Sequence, residues 1–322
     1  MKSVSIILSA YNSASFIGAT IESILSQTWT DFELIVVNDG STDETLEVLS
    51  QFVDNRLKII SQSNQGQDVA LNIGFLNSSG NYVKFMDSDD LINPDMIDIQ
   101  INTLADSDEY IAYGEWSRFY NNDPLTAEFR DRLNWRDMAP IDFLTSEKLG
   151  PMLQCGIMLI PRGLIIKSGL WDERLVLFND TEFFTRLLLV SKGVKFSRGA
   201  RLYYRSGLNT SISAQKSKRF FESTYLAIIL IESRLLDVEN SYRTRTLVRN
   251  LLVNQYVEMY PRFSELQKIH KSKLLSYGND KIVIEGGLFL IFIGNIFGWK
   301  FAKLCRIVRS DFLQSFKSLC YG

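Results

Sequence analysis

The stretch Gly80-Asn81-Tyr82-Val83-Lys84-Phe85-Met86-Asp87-Ser88-Asp89-Asp90 sets an apolar run directly before three carboxylates. The apolar part, Tyr82–Met86, predicts a buried β-strand. The carboxylates after it would repel one another if they were removed from water without a counter-charge. Oxygen ligands of this kind suit Mg²⁺ or Mn²⁺. The alternative is a solvated acidic turn that precedes a helix at Asn93-Pro94.

Upstream of this stretch, short apolar runs alternate with segments of helical periodicity. The other expected strands are Val4–Leu8, Phe32–Val37 and Leu57–Ile60. The expected helices are Phe16–Leu25, one opened by a capping box at Ser41–Glu44, Asp68–Leu76, and one with proline at its first position from Asn93-Pro94. Strands that alternate with helices predict an α/β fold with a parallel sheet and right-handed crossovers.

The rest of the chain divides into a less regular middle and a helical end. The middle predicts a strand at Ile157–Ile160, a helix at Asp180–Ser191, and two short strands at Val194–Phe196 and Arg201–Tyr204. Strand patterns stop near Ile212, and Phe220–Leu236 and Leu247–Tyr260 have the periodicity of amphipathic helices. We therefore expect an α/β domain at 1–213 and a helical region at 214–322.

Composition and charge narrow the class of protein. The 322 residues are 46% hydrophobic and 22% charged, which excludes disordered, collagen-like and disulfide-stapled chains. Residues 1–100 carry 4 Lys and Arg against 14 Asp and Glu, whereas residues 201–322 carry 19 against 9. The acidic end can serve metal binding, and a basic end suggests an anionic membrane or nucleic acid; the alternative is two differently solvated surfaces. Of these partners we expect no nucleic acid. Three cysteines without metal or disulfide spacing, and a start without a signal-peptide pattern, predict a cytoplasmic location.

Polar residues follow each strand of the first hundred residues where that strand ends. The first strand is followed by Ser9-Ala10-Tyr11-Asn12 and the second by Asn38-Asp39-Gly40-Ser41. The carboxyl ends of parallel strands share one edge of a sheet, where such folds bind ligands. No glycine-rich dinucleotide motif follows the first strand and no Walker motif occurs, which disfavours NAD and P-loop chemistry.

Five segments, in order and spacing, resemble the opening of the family-2 glycosyltransferases. They are Ser5–Asn12, Ile21–Thr28, Val36–Asp43, Asn64–Gly66 with Ala70–Asn72, and Ser79–Asp90. The resemblance covers about the first hundred residues. It implies a GT-A fold, in which a Rossmann-like, mostly parallel sheet with helices on both faces binds a nucleotide-sugar. It also implies inverting sugar transfer, usually with Mg²⁺ or Mn²⁺.

The resemblance assigns donor and cation contacts to named positions. Those for the nucleotide-sugar are Ser9, Ala10, Tyr11, Asn12, Asp39, Gly66, Asp87 and Ser88. Asp39 would accept a hydrogen bond from a uracil-type imide, and Asp89 with Asp87 would ligate the cation on the diphosphate. The alternatives are a core aromatic for Tyr11 and a turn former for Asp39. Leu71 departs from the family, which often has arginine there.

Inverting transfer needs a base that takes the proton of the acceptor hydroxyl. Phe178-Asn179-Asp180, after Gly169–Glu173, resembles a Glu-Asp pair of the family with its first acid replaced by Asn. Asp180 is therefore the candidate catalytic base and Glu182 the second candidate. Alternatively, Asp180 caps a helix and Glu182 lies in its first turn.

Arg201–Arg205 with Ser211–Ser213 resembles the segment that closes many of these domains. Arg205 could grip the donor diphosphate at two points, or form a surface salt bridge. Trp116 and Trp171 could stack on an acceptor sugar or belong to the core. The lone His270, in a basic helical region, is expected to be solvated.

Residues 284–313 predict a peripheral membrane contact. Leu288–Phe297 is about half the ~20 apolar residues that span a bilayer. Apolar residues then recur at helical spacing among Lys300, Lys303, Arg306 and Arg309, a pattern typical of helices in a membrane surface. The alternatives are a helix packed on the catalytic domain and a dimer contact. A membrane contact would place the protein at the inner face of the cell membrane.

Together these features predict transfer of a single sugar from a UDP-sugar to a hydroxyl of a cell-surface or lipid-linked glycan. The Gln-x-x-Arg-Trp motif of processive synthases is absent, which favours single additions. One alternative is a sugar nucleotidyltransferase, although the glycine-rich basic loop that such enzymes need after the first strand is missing. Another is an inactive carbohydrate- or lipid-binding module of the same fold.

Overall fold

The computed structural model describes residues 3–207, 217–278, 282 and 288–309. Its eight strands lie in one sheet in the order β3-β2-β1-β4-β7-β6-β8-β5. They are β1 (Val4–Ala10), β2 (Phe32–Asp39), β3 (Leu57–Gln62), β4 (Tyr82–Asp87), β5 (Leu91–Ile92), β6 (Ile111–Phe119), β7 (Met158–Pro161) and β8 (Val194–Arg205).

The helices that surround this sheet are longer toward the end of the chain. They are α1 (Ala14–Leu25), α2 (Thr45–Ser50), α3 (Gln67–Leu76), α4 (Met96–Leu104), α5 (Pro140–Leu144), α6 (Arg162–Ser168), α7 (Asn179–Val190), α8 (Lys218–Val238), α9 (Tyr242–Met259), α10 (Ser264–Leu275) and α11 (Leu288–Phe297). A further helix, α12, covers 299–309. The predicted boundary between 213 and 214 and the segment Ser211–Ser213 lie outside the described residues.

The first half of the sheet is parallel, as predicted. Strands β3, β2, β1 and β4 pair in parallel, and β2 has buried residues on both faces. Leu34 and Val36 enter the main core, whereas Ile35 and Val37 belong to a second cluster with Ala70. Because successive side chains of a strand point to opposite faces, apolar groups cover this half of the sheet on both sides.

The second half of the sheet mixes directions and corrects one prediction. Strand β7 runs antiparallel to β4 and β6, β8 is parallel to β6, and β5 is antiparallel to β8. The segments Val194–Phe196 and Arg201–Tyr204, expected as two strands, form the single strand β8. Its register against β6 shifts between Gly114 and Glu115, and this bulge interrupts the apolar alternation of the sequence.

Two helices begin later than the sequence predicted. The expected capping box at Ser41–Glu44 does not cap α2, which begins at Thr45. Ser41 and Asp43 instead accept hydrogen bonds from the backbone N–H groups of Asn12 and Ala14. Helix α4 begins at Met96, because the carbonyl of Pro94 accepts a bond from Thr28 in a turn.

The C-terminal helices pack on the sheet domain and share its core. Ile228, Leu235 and Leu247 belong to the same hydrophobic cluster as the central strands. The expectation of a solvated His270 is wrong: the ring is 1% exposed, lies against Tyr225, and its Nε2 pairs with Gln255. The His270 ring therefore packs in the protein interior, although basic residues lie beside it in the sequence.

The end of the described chain folds back on α9. Ala302 is buried, Trp299 contacts Tyr256 and Tyr260, and two of the four basic residues predicted to face a membrane, Lys303 and Arg306, pair with Glu258. Residues 284–287 and 310–313 of the predicted membrane segment lie outside the described residues. Among the residues described, no helix has both the length and the apolar character needed to cross a bilayer.

Candidate active site

The ends of β1, β2 and β4 meet at one edge of the sheet. In the strand register Ser9 lies opposite Asp87 on one side and Val37 on the other, and Ala10 lies opposite Asn38. The residues predicted after three separate strands are therefore neighbours. This arrangement is the basis of the site.

The loop after β1 is fixed by the loop after β2. Asn12 has a left-handed backbone (φ 47°), and its Oδ1 accepts a hydrogen bond of 2.8 Å from the backbone N–H of Thr42. Tyr11 is 50% exposed, which excludes the alternative of a core aromatic. An exposed ring on a fixed loop at this edge is available to stack on a planar ligand.

Asp39 is buried and organises the chain that follows β3. Its carboxylate accepts hydrogen bonds from Gln62 Nε2 at 2.7 Å and from the backbone N–H groups of Gln65 at 2.9 Å and Gly66 at 2.8 Å. The next residue, Gly40, has a φ of 71°, and a Cβ there would lie 2.6 Å from the backbone nitrogen of Asn64. The Asp-Gly pair thus sets how closely the two loops approach.

The three carboxylates after β4 lie in different surroundings. Asp87 accepts a hydrogen bond of 2.9 Å from Gln67 Nε2. Asp90 is fully buried and accepts one of 2.8 Å from the backbone N–H of Arg205. Burial raises the pKa of all three, to about 7 for Asp87, and their mutual repulsion adds to this for Asp87 and Asp90. The cluster therefore has a deficit of positive charge.

Arg205 is the cation that lies against this cluster. Its Nε donates to the backbone oxygen of Asp89 at 2.8 Å, and its guanidinium lies 4.7 Å from the ring centre of Phe16 and 4.6 Å from that of Phe119. It is 7% exposed, so the alternative of a surface salt bridge does not hold. Stacking between two rings fixes the planar head beside Asp89.

The start of α7 places the two base candidates in different directions. Asp180 is partly buried, and burial raises its pKa to about 6 although the backbone N–H of Thr181 donates to its Oδ1. Glu182 is 1% exposed and pairs with Arg186 Nε at 2.7 Å. This geometry favours Asp180 as the group that a substrate reaches.

A carboxylate that the sequence analysis did not single out lies next to Asp180. Asp68, in the first turn of α3, is 3% exposed and accepts a hydrogen bond from Asn179. Burial, with Asp180 and other nearby acids, raises its pKa to about 7. Its sequence position gave no signal, because an acid in the first turn of a helix is ordinary. Gln67, Gln154 and Asn122, which contact the site acids or Arg205, were missed as well.

Three buried polar side chains hold the chain that leads to Asp180. Arg186 donates to the carbonyls of Ser168, Gly169 and Leu170, while Asn72 exchanges hydrogen bonds of 3.0 Å with the backbone of Trp171. Ser223 of α8 accepts from the backbone N–H groups of Val176 (2.9 Å) and Leu177 (3.2 Å). Residues 168–177 are therefore fixed from α7, α3 and α8.

Three further residues discussed from the sequence lie in the core. Trp171 is 3% exposed and stacks on Phe183 at 3.9 Å, and Trp116 is 9% exposed under Arg132. Neither tryptophan offers a face to an acceptor. Leu71 is fully buried, so its position presents no charge to a donor.

The acids after β4 suit a divalent cation by their chemistry. Carboxylate oxygens are the ligands that Mg²⁺ and Mn²⁺ prefer, and the raised pKa of Asp87 and Asp89 marks a place where positive charge would be stabilising. Within the described ranges, no three His, Cys, Asp or Glu side chains form a complete metal site.

Comparison with known proteins gives matches in sequence and in structure. The family model described as glycosyl transferase family 2 matches residues 5–168. The glycosyltransferase GlyA of Streptococcus pneumoniae serotype 4 is 36% identical over 124 residues, 38% of this chain and 18% of GlyA. An uncharacterized glycosyltransferase of Rickettsia typhi is 32% identical over 190 residues, 58% of this chain and 59% of that protein. The chain thus spans less than two thirds of either relative.

Solved structures match over more of the chain. Residues 1–349 of S. aureus TarS in complex with UDP superpose with a TM-score of 0.61 at 18% identity, covering 85% of this chain and 88% of that one. The complex of the same protein with UDP-GlcNAc gives 0.61 at 17% identity, covering 85% and 89%. This likeness shows the fold and confirms the predicted GT-A architecture. By its family match and its fold, the chain belongs to glycosyltransferase family 2.

Proposed function

We propose that the protein transfers a single sugar, with inversion, from a UDP-sugar to a hydroxyl of a cell-surface or lipid-linked glycan. The observation that carries this proposal is the register of Ser9 against Asp87, which brings a polar loop and the acidic cluster to one sheet edge. The UDP and UDP-GlcNAc complexes of TarS, a protein of the same fold, support a uridine nucleotide as donor.

The donor would lie along the ends of β1, β2 and β4. Tyr11 would stack on the base, with Ser9, Ala10 and Asn12 beside it. Asp39 has one carboxylate oxygen bonded to Gly66 alone, which leaves a lone pair for a uracil imide. Arg205, fixed beside Asp89, would stabilise charge on the diphosphate.

Asp180 would act as the base. Direct displacement forms a bond from the acceptor oxygen to the anomeric carbon while the bond from that carbon to the diphosphate breaks. The acceptor proton passes to the Asp180 carboxylate, which a pKa of about 6 leaves ionised at neutral pH. Asp89 and Asp87 would hold Mg²⁺ or Mn²⁺, which when bound neutralises charge on the leaving diphosphate.

A membrane surface would bring the protein to a lipid-linked acceptor. The exposed apolar residues of α11 and α12 lie along one continuous segment: Phe292, Ile296, Phe297, Phe301, Leu304 and Val308. Lys300 and Arg309, both exposed, lie in the same segment. Apolar groups next to cations are complementary to the surface of an anionic bilayer, and we assign that surface as the partner.

The cation assignment is tested by removing one carboxylate. Asp89→Ala should abolish both sugar transfer and the increase in melting temperature that UDP gives with Mn²⁺, because ligand binding to the folded state raises stability. Thermal-shift measurements with UDP, with and without Mn²⁺, read this out directly. Asp95→Ala is the matched control, since Asp95 is an exposed acid five residues after Asp90, the last acid of the cluster. It should behave as the unaltered protein. Transfer by Asp89→Ala at the unaltered rate would refute the assignment.

A further inference from the structure

The turn that carries Asp180 holds a strained backbone with little local support. Phe178 has a φ of 65°, a left-handed conformation that is unfavourable for a bulky residue. No side chain caps the start of α7. Within the turn, Asp180 Oδ1 accepts hydrogen bonds from the backbone N–H and the hydroxyl of Thr181. The strained conformation at Phe178 needs support from outside the turn.

The contact at this point is between α3 and α7. Asn179, the first residue of α7, donates from Nδ2 to Oδ1 of Asp68. Asp68 is 3% exposed, and its other oxygen, Oδ2, has no hydrogen-bond partner among the described residues. A neutral amide at position 68 would accept the same hydrogen bond without the cost of a buried charge.

Stability alone does not account for an acid at this position. Burying a carboxylate with one oxygen unpaired costs free energy, and several other acids lie close by: Asp172, Asp180 and Glu182. A pKa of about 7 leaves the Asp68 carboxyl ionised in about half of the molecules at neutral pH. In that ionised form it gives Asn179 a stronger hydrogen bond than a neutral acceptor would. That bond acts on the residue directly before Asp180.

We propose that Asp68 is a positioning residue for Asp180, acting through its hydrogen bond to Asn179. This inference rests on the proposed role of Asp180 as the base. It assigns to α3 a second function besides bringing Gln67 to Asp87: α3 sets the angle of the turn from which the base reaches the acceptor.

An exchange of the two residues tests the proposal. Asn179→Asp places two carboxylates against each other and should lower kcat about 100-fold with donor KM within about twofold, since misplacement of a catalytic group costs rate rather than binding. The double variant that also carries Asp68→Asn again pairs an amide with a carboxylate, with the amide now on α3 and the carboxylate on α7. It should restore kcat to within about fivefold of the unaltered protein. The readout is UDP release from the UDP-sugar that the unaltered protein hydrolyses fastest, with Mn²⁺ present.

Two further variants keep the test independent of folding and of the proposed function. Asp68→Leu removes the bond and the buried charge together, so it should melt no lower than the unaltered protein and still lose about 100-fold in kcat. Asp172→Asn removes a neighbouring charge that is paired with Arg174, and should change kcat less than twofold.

The outcomes separate the two ideas. Failure of the exchange to raise kcat above that of Asn179→Asp, or an unaltered kcat in Asp68→Leu, overturns the positioning role. Asp180→Asn is measured in the same series: its inactivity supports the base, whereas unaltered turnover refutes the base and with it the positioning of that base.

Discussion

Asp180 shows how one residue combines position with a suitable pKa. It lies in the first turn of α7 next to buried acids, and burial raises its pKa to about 6. A general base works best when its pKa lies near the working pH, because it is then both ionised and basic enough to accept a proton. Glu182, two residues on, is held in a buried ion pair instead.

Turnover should fall as the pH is lowered through about 6. The carboxyl becomes protonated below its pKa, and a protonated carboxyl cannot accept the acceptor's proton. The measurement is kcat against pH at saturating donor and Mn²⁺. Asp180→Asn should lose activity at every pH yet still bind UDP; an active variant would transfer the role to Glu182.

The residues at the strand ends could be predicted from the sequence, and Asp180 of α7 from its resemblance to a family motif, whereas Asp68 of α3 could not. Asp39, Asp87 and Asp89 each follow an apolar run, so strand order alone brings them to one edge. Asp68 reaches the site only through the packing of α3 against β1 and β2. Its hydrogen-bond partner, Asn179, is 111 residues away in the sequence, so no local sequence pattern indicates this contact.

At the scale of elements, a single arginine joins α7 to the segment before it. Arg186 is 5% exposed, pairs with Glu182 and donates to three carbonyls of 168–170. These carbonyls lie at and just after the end of α6, where backbone acceptors have no partner within the helix. The ion pair thus stabilises the approach to the base although it takes no part in the proposed chemistry.

Arg186→Met should destabilise the protein by about 3–5 kcal/mol, because Glu182 is left buried without its close partner. Urea unfolding measures the loss. Arg174→Met is the matched control: Arg174 pairs with Asp172 at the surface, with its side chain 65% exposed, and its loss should cost much less than that of Arg186. Equal losses for both variants would contradict the role of burial.

Strands were predictable where apolar residues dominate the run, even in β4 with its buried Lys84, and not where a glycine and an acid stand together in the middle of the strand. The four parallel strands β1 to β4 were each predicted from apolar runs. Strand β6 was missed because Gly114 and Glu115 interrupt it; Glu115 is 4% exposed and pairs with Arg201 across the bulge. A buried acid that finds its partner on another strand cannot be distinguished from a loop residue in the sequence alone.

At the scale of the molecule, the acidic residues of the site and the exposed basic residues belong to different parts of the chain and form two surfaces. The acidic cluster lies at the sheet edge, while the exposed apolar and basic residues of α11 and α12 lie at the other end of the described chain. Two of the four basic residues of the predicted membrane face, Lys303 and Arg306, form ion pairs with Glu258 of α9. The proposed membrane surface therefore depends on apolar groups more than on charge.

Phe297→Glu with Phe301→Glu should weaken binding to vesicles of phosphatidylcholine and phosphatidylglycerol by at least about tenfold. The two rings lie 5.3 Å apart and are 65% and 47% exposed, and burial of each would contribute about 1.5–3 kcal/mol. Cosedimentation measures the effect. Val53→Glu alters an apolar residue that is 98% exposed elsewhere and should bind as before; equal binding by both would refute the surface.

The hydroxyl of Ser223 constrains any attempt to recombine this protein with a relative. It belongs to α8, yet it accepts hydrogen bonds from the backbone of Val176 and Leu177, three and two residues before Asn179. A chimera joined after β8 would keep every acid of the site and still lose this anchor unless the incoming helix carried a serine or threonine at the matching place. Acceptor specificity and turnover rate would then change together. The effect of the lost anchor would be misread as a change in acceptor preference.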